Sequence, residues 1–128
     1  MAIEVGIRGL AEALVEQADT AKEVGSGDLL VYATPCMVAL MEGAAWESIA
    51  PFLAEGESSV GTKMDMTHLS ATPVGMSVRA ESVVTAVEGR KVTFSITAYD
   101  EAGEIGRATH ERVVIKTERF LEKTYDKL

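Results

Sequence analysis

Residues 34–46 read TPCMVALMEGAAW, and the rest of the chain is interpreted around this segment. Threonine is a favoured helix N-cap and proline suits the first helical position, so Thr34 and Pro35 predict the start of a helix. The residues that follow are apolar or small on every side of that helix, which indicates that it is buried all round. Pro51 is predicted to end the helix or to kink it.

After this helix the sequence changes to an alternation of apolar and polar residues, which is typical of β-strands with one buried face. In the first strand Met64, Met66 and His68 share one face, whereas Gly61 lies on the other. The predicted strands cover residues 60–69, about 76–87, 92–99 and 105 to about 115.

These four strands are predicted to follow one another as an antiparallel meander, with a tight hairpin at Glu88-Gly89. The charged tail from Lys116 is predicted to form a short amphipathic helix with Phe120 and Leu121 facing inward. Residues 3–16 are compatible with either a strand or a helix, because initial alternation gives way to helix-forming residues.

The order of these elements predicts the fold class. A helix that is apolar all round needs a sheet that curves around it. The sequence therefore predicts an α+β hot-dog fold, in which a central buried helix is wrapped by a curved antiparallel β-sheet. A length of 128 residues predicts a single domain, 1–128.

The composition excludes several classes of protein. Hydrophobic residues make up 47% of the chain and charged residues 25%, which is typical of a globular domain and not of a disordered one. The single cysteine, Cys36, has no partner for a disulfide, so a cytoplasmic location is expected. The longest uncharged stretch, Leu29–Met41, is too short to span a bilayer, so no membrane segment is expected.

The net charge of −8 is unevenly distributed along the chain. Residues 1–62 contain two basic and ten acidic residues, whereas residues 63–128 contain ten of each. Because no basic patch is present, nucleic-acid binding is not expected. A phosphorylated ligand would have to find its cations in the second half of the chain.

Two ionisable residues are unexpected where they lie. Glu42 falls inside the apolar helix, eight residues after Thr34, where a carboxylate must be paired, protonated or beside a cavity. His68 closes the apolar face of the first strand, where a lone histidine is also explained as a hydrogen-bonded core residue. Functional and structural explanations stay open for both, and the functional one gains weight if the fold brings them together.

Other polar residues have simpler explanations. Thr34 is explained by capping of the helix. Gly61 is explained by close packing or by a bulge in the strand, and Cys36 by burial as a small apolar side chain. His110 and Arg112 share a face of the last strand, where charged side chains are normally solvated. No metal-ligand spacing and no glycine-rich phosphate loop is present, so neither a metal ion nor a cofactor is expected.

Three segments together resemble the hot-dog acyl-CoA thioesterases of the fluoroacetyl-CoA-specific type. They are ATPCMVALME at 33–42; VGT at 60–62 with TH at 67–68 and ATP at 71–73; and Gly106 with THER at 109–112. The resemblance covers roughly residues 31–118 and favours a strand for residues 3–16. It implies that the protein hydrolyses a small acyl-CoA thioester to the free acid and CoA, which is part of the substrate and not a cofactor.

The same resemblance implies roles for five residues. Thr34, Glu42 and His68 correspond to the catalytic set, Gly61 to the glycine that lies against the acyl thioester, and Arg112 to a substrate-binding arginine. Glu42 would attack the carbonyl or activate water, and His68 would transfer protons. The family forms homodimers with the sites at the subunit interface, so a homodimer is expected.

The resemblance has limits, and two other functions are considered. The family's phenylalanine-bearing lid has no counterpart in GSGDLL at 25–30, so fluoroacetyl selectivity is not inferred. A non-catalytic hot-dog binder of acyl-CoA or of a small aromatic or acyl ligand is one alternative, and retention of all three polar residues argues against it. Hydration of an enoyl thioester is the other, and the Thr-Glu-His set argues against that.

Overall fold

The protein contains a single antiparallel sheet of five strands, in a computed structural model that describes all 128 residues. The strands are β1 (Arg8–Leu14), β2 (Glu57–His68), β3 (Ser77–Glu88), β4 (Lys91–Asp100) and β5 (Glu104–Lys116). Their order across the sheet is β1-β3-β4-β5-β2. Of the two structures considered for residues 3–16, the strand is the one that forms.

Strand β2 lies at an edge of the sheet and pairs with β5, from Glu57 opposite Lys116 to His68 opposite Gly106. The prediction of a four-strand meander was therefore wrong for β2, although β3, β4 and β5 do follow one another as neighbours. Residues 69–76 carry the chain from β2 across to β3. A connection of this length does not force sequential strands to pair, as a two-residue hairpin turn does.

The long helix α2 (Thr34–Ile49) packs across the curved sheet and supplies much of the core. Its buried residues are Met37, Met41, Ala44, Ala45 and Ile49. The helix ends as predicted before Pro51, which lies in a 3-10 turn (Ala50–Phe52).

Two short helices complete the fold: α1 (Ala21–Val24) follows a 3-10 turn (Gln17–Asp19), and α3 (Thr117–Tyr125) follows β5. No helix in the protein is long and apolar enough to cross a membrane.

Helix α2 is covered on one side only. Pro35, Ala39 and Trp46 are exposed, and the Glu42 side chain, on the same stripe, is 40% exposed. These spacings of four, three and four residues place the exposed residues on one helical face. The prediction of a helix buried all round was wrong for the single chain, because the sheet reaches only the opposite face.

The C-terminal helix also differs from its prediction. Phe120 is 38% and Leu121 47% exposed, and no residue of α3 is buried, so the inward orientation was wrong. Phe120 lines an open groove of about 470 Å³ together with Val113 and Ile115 of β5. Helix α3 is amphipathic, as predicted, but its apolar side chains contact the sheet only at this shallow groove.

Candidate active site

Thr34 lies in the first turn of α2 and its side chain does not cap the helix. The N-cap is Ala33, and Thr34 and Pro35 are the first two helical residues, so the predicted cap was wrong by one position. The hydroxyl is therefore free to bond elsewhere. Thr34 Oγ1 lies 2.8 Å from His68 Nδ1.

His68 ends strand β2 and faces a cavity beside this pair. Its other ring nitrogen, Nε2, is buried and has no hydrogen-bond partner. The cavity has a volume of about 390 Å³ and is lined by Ala21, Ser26, Val31, Tyr32, Thr34, His68, Leu69, Ser70 and Ala71. A hydroxyl–imidazole pair at a mostly small-residue cavity is an arrangement that can move a proton to or from a bound molecule.

Glu42 lies two helical turns further along α2 and forms a second cluster. Its Oε2 accepts a hydrogen bond from Arg112 Nη1 at 3.1 Å. His110 Nε2 is 3.9 Å from the same oxygen. The carboxylate in the apolar helix is thus paired with a cation and remains 40% exposed, so it is accessible to a ligand.

Arg112 is held from three directions. Its Nε donates to Ser59 Oγ at 2.9 Å and its Nη2 donates to the Ser59 carbonyl at 3.1 Å, while Nη1 faces Glu42. Arg112 is only 7% exposed, so the solvated position expected from the strand pattern was wrong. Burial lowers the pKa of Arg112, and the Glu42 carboxylate opposes that shift.

His110 was also expected to be solvated and is instead 1% exposed. Its Nδ1 lies 2.7 Å from the Lys63 carbonyl and its Nε2 3.2 Å from Arg112 Nη1, and the ring stacks on Phe94 at 5.7 Å between centroids. Burial lowers the pKa of His110, and the neighbouring Arg112 charge lowers it further. The hydrogen bond to the Lys63 carbonyl opposes this shift. The sequence placed His110 and Arg112 on the same face of the last strand, but that face was predicted to be the outer, solvated face of the sheet.

Gly61 faces this cluster because strand β2 contains a bulge. The pairing register with β5 shifts between Gly61 and Lys63, which leaves Thr62 without a partner residue. Gly61 was predicted on the face opposite Met64, and the bulge brings both to the inner face. A Cβ at Gly61 would overlap Glu42 Oε2 and would lie 3.2 Å from Arg112 Nη1.

The structure thus brings the predicted residues together in two groups. Thr34 and His68 form one, and Glu42, Gly61 and Arg112 form the other with His110 added. Glu42 follows Thr34 by a step of eight residues in the α-helix, which corresponds to about 12 Å along the axis. Within one chain the three predicted catalytic residues do not make a contiguous triad.

Comparison with known proteins places this site in a family. The model of the family described as fluoroacetyl-CoA-specific thioesterase matches residues 15–118. The chain belongs to this family. A fluoroacetyl-CoA thioesterase from Streptantibioticus cattleyicolor is 44% identical to it over 97 residues, which are 76% of this chain and 70% of that protein.

Solved structures agree with membership of the fluoroacetyl-CoA-specific thioesterase family and confirm the hot-dog fold. A fluoroacetyl-CoA thioesterase matches with a TM-score of 0.92 and 36% identity, covering 100% of this chain and 99% of that one. A variant of such an enzyme in complex with acetyl-CoA gives 0.93 and 36%, covering 98% of each chain. A thioesterase superfamily member from Thermus thermophilus gives 0.86 and 31%, also covering 98% of each chain.

Proposed function

We propose that the protein is an acyl-CoA thioesterase that hydrolyses CoA thioesters of small acids. The observation that carries this proposal is the 2.8 Å contact between Thr34 Oγ1 and His68 Nδ1. This contact gives the Thr34 hydroxyl a partner other than the backbone of its own helix, so helix capping does not explain the residue. Thr34 also corresponds to the catalytic threonine of the family. The match of residues 15–118 to the thioesterase family supports the same reaction.

The chemistry assigns a part to each of the three residues. A water oxygen, or a carboxylate oxygen of Glu42, bonds to the thioester carbonyl carbon, and the carbon–sulfur bond breaks. In the first route Glu42 takes the proton from water; in the second, water later releases the acyl group from Glu42. His68, oriented by Thr34, supplies the proton that the departing CoA thiolate needs.

The bulge in β2 supports a role for Gly61 in this reaction. A bulge leaves its extra residue outside the ladder of hydrogen bonds, here Thr62. A backbone N–H next to Gly61 can then point at the carbonyl oxygen as it gains negative charge. In comparable sites one such donor is worth about 3 kcal/mol.

Arg112 is proposed to bind substrate through a single donor. A guanidinium has five N–H groups, and four of those of Arg112 face Ser59, Glu42 and His110. One N–H on Nη2 is left for a ligand. The main effect of Arg112 is then to hold the Glu42 carboxylate in place.

We propose that two copies of the chain complete each active site. Thr34 and Glu42 are too far apart in one chain to act on one carbonyl carbon, and both lie on the uncovered side of α2. The exposed stripe of that helix carries Trp46, which is 47% exposed. A second copy covering this stripe would bring the Glu42 group of one chain to the Thr34 group of the other.

Light scattering tests the dimer. The expected mass is about twice the 13.7 kDa of the chain. A monomer at micromolar concentration would overturn the two-copy site.

The reaction is tested by thiol release from acetyl-, short branched-chain and aryl-CoA thioesters. Wild type is expected to turn over at least one of them, and Glu42→Gln, which keeps the shape but not the charge, is expected to lose at least a hundredfold in kcat. Glu12→Gln, an exposed acid on β1, is the matched control and should behave as wild type. Absence of turnover on every substrate, or an active Glu42→Gln, would reject the proposal.

A single-turnover reaction in ¹⁸O-labelled water separates the two roles of Glu42. With excess enzyme, ¹⁸O in Glu42 and an unlabelled first product demonstrate attack by the carboxylate, followed by hydrolysis of the resulting anhydride at the Glu42 carboxyl carbon. Direct attack by water puts the ¹⁸O into the product and never into Glu42, so label in Glu42 is the deciding signal.

A further inference from the structure

We infer that His110 is a positioning residue, which fixes the Arg112 guanidinium and through it the Glu42 carboxylate. This inference rests on the proposed function, since it concerns how the thioesterase site is held. His110 itself is 1% exposed and reaches Glu42 only at 3.9 Å, with Arg112 closer to both. It therefore has no access to substrate and acts on the reaction through Arg112.

The hydrogen bonds determine which ring nitrogen carries the proton. The Lys63 carbonyl can only accept, so Nδ1 at 2.7 Å must be protonated and donate to it. Arg112 can only donate, so Nε2 at 3.2 Å must present its lone pair. His110 is consequently neutral with its proton on Nδ1, and the burial that lowers its pKa keeps it so.

The neutral ring gives Arg112 Nη1 a second partner. One N–H of Nη1 bonds to Glu42 and the other to His110, while Ser59 holds Nε and Nη2. Contacts on all three nitrogens fix both the plane and the rotation of the guanidinium. Without His110, Nη1 would keep a buried N–H with no acceptor, and the guanidinium would be free to turn away from Glu42.

Burial and the Arg112 cation favour the neutral ring of His110, whereas the Glu42 and Glu111 carboxylates oppose them. Arg112 on β5 and Glu42 on α2 face the ring, Glu111 is adjacent in the chain, and β2 contributes the Lys63 carbonyl. Strand β4 contributes only the apolar Phe94 ring. Protonating Nε2 would replace an accepted hydrogen bond with two cations 3.2 Å apart, so the fixed tautomer is the one that holds the cluster together.

Nitrogen-15 NMR of the histidines tests the arrangement without any substitution at His110. His110 should show a protonated Nδ1 and an unprotonated Nε2 at pH 8 and at pH 7, and His68→Gln assigns the two rings. A proton on Nε2, or titration of His110 above its ordinary value of 6.5, would overturn the inference.

Two substitutions test the consequence for catalysis. His110→Asn keeps a donor for the Lys63 carbonyl and loses the acceptor for Arg112, whereas His110→Gln places an amide oxygen near the position of Nε2. We expect His110→Asn to lose about tenfold to a hundredfold in kcat with KM changed less than about threefold, because misplacing a catalytic group costs on that order.

His110→Gln should recover most of the loss, and Thr109→Ala, an exposed neighbour on β5, should match wild type. Equal losses in His110→Asn and His110→Gln would reduce His110 to a core residue. An inactive wild type would reject the thioesterase proposal instead, and the NMR tautomer would still decide the arrangement of His110.

Discussion

Thr34 shows how a one-residue shift in a helix boundary changes the meaning of a side chain. As an N-cap it would stabilise the helix, and its removal would cost about 1 kcal/mol. As the first helical residue, bonded to His68, it contributes little to the helix. We expect Thr34→Val to lose at least tenfold in kcat while its free energy of unfolding changes by less than about 0.5 kcal/mol, and Thr34→Ser to keep most of the activity. A destabilised but fully active Thr34→Val, measured by urea unfolding and thiol release, would restore the capping explanation.

Residue 61 is a glycine in a position where a Cβ would meet the side chains of Glu42, His110 and Arg112. Gly61→Ala is expected to displace the Glu42 carboxylate and to lower kcat/KM by at least about tenfold. Gly43→Ala is the control, since a Cβ there would lie 4.0 Å from Ala11 Cβ, an ordinary contact. Its turnover should match wild type, and an equally active Gly61→Ala would show that the close approach has no catalytic meaning.

The residues of the site differed in how far the sequence identified them. Glu42 was conspicuous because a carboxylate inside an apolar helix demands an explanation, and its partner Arg112 is 70 residues away, which no local pattern reveals. His110 was missed because the face of a strand that points inward depends on where the sheet lies. A residue's neighbours across elements are a property of the fold, not of the segment that contains it.

At the scale of elements, the position of α2 depends on a close approach to β1 at Gly9. A Cβ at Gly9 would overlap the Ala44 carbonyl and lie 2.8 Å from Ser48 Cβ. Gly9→Ala should therefore push the helix away and cost about 1–3 kcal/mol, measured by urea unfolding. Glu12→Ala, an exposed change on the same strand, should cost less than about 0.5 kcal/mol. A Gly9→Ala variant as stable as wild type would show that α2 does not depend on this contact.

The elements themselves were largely predictable, because helix and strand periodicities are local. The alternation after residue 56 identified β2, β3, β4 and β5 to within a few residues. What it did not contain was the bulge at Thr62 or the edge position of β2, since both depend on pairing with β5. A bulge moves Gly61 to the other face without changing any residue of the pattern.

At the scale of the whole molecule, His110 gives the stability a pH dependence of known sign. Its pKa is lowered by burial, so below about pH 6.5 the unfolded chain binds a proton that the folded chain does not. The stability that comes from the neutral His110 ring is fully present above pH 6.5. It is lost as the pH falls towards and through the folded-state pKa of His110. Glu57 and Glu104, whose pKa values are lowered by their hydrogen bonds, act at lower pH.

Urea unfolding between pH 7.5 and pH 5, at fixed protein concentration, measures this effect. Wild type should lose stability with acidification over this range, and His110→Gln should lose less, because the titrating ring is absent. Parallel curves for the two proteins would show that His110 titrates alike in the folded and unfolded chains.

The proposed assembly makes Thr34 of one copy and Glu42 of the other act on the same thioester. Subunit complementation between Thr34→Val and Glu42→Gln tests this most directly. In a mixed dimer one site contains both substitutions and the other contains neither, so refolding an equal mixture should restore about a quarter of wild-type turnover. If the mixture, with mixed dimers demonstrated by mass spectrometry, stays as inactive as its components, the site does not span two copies and the proposed assembly is wrong.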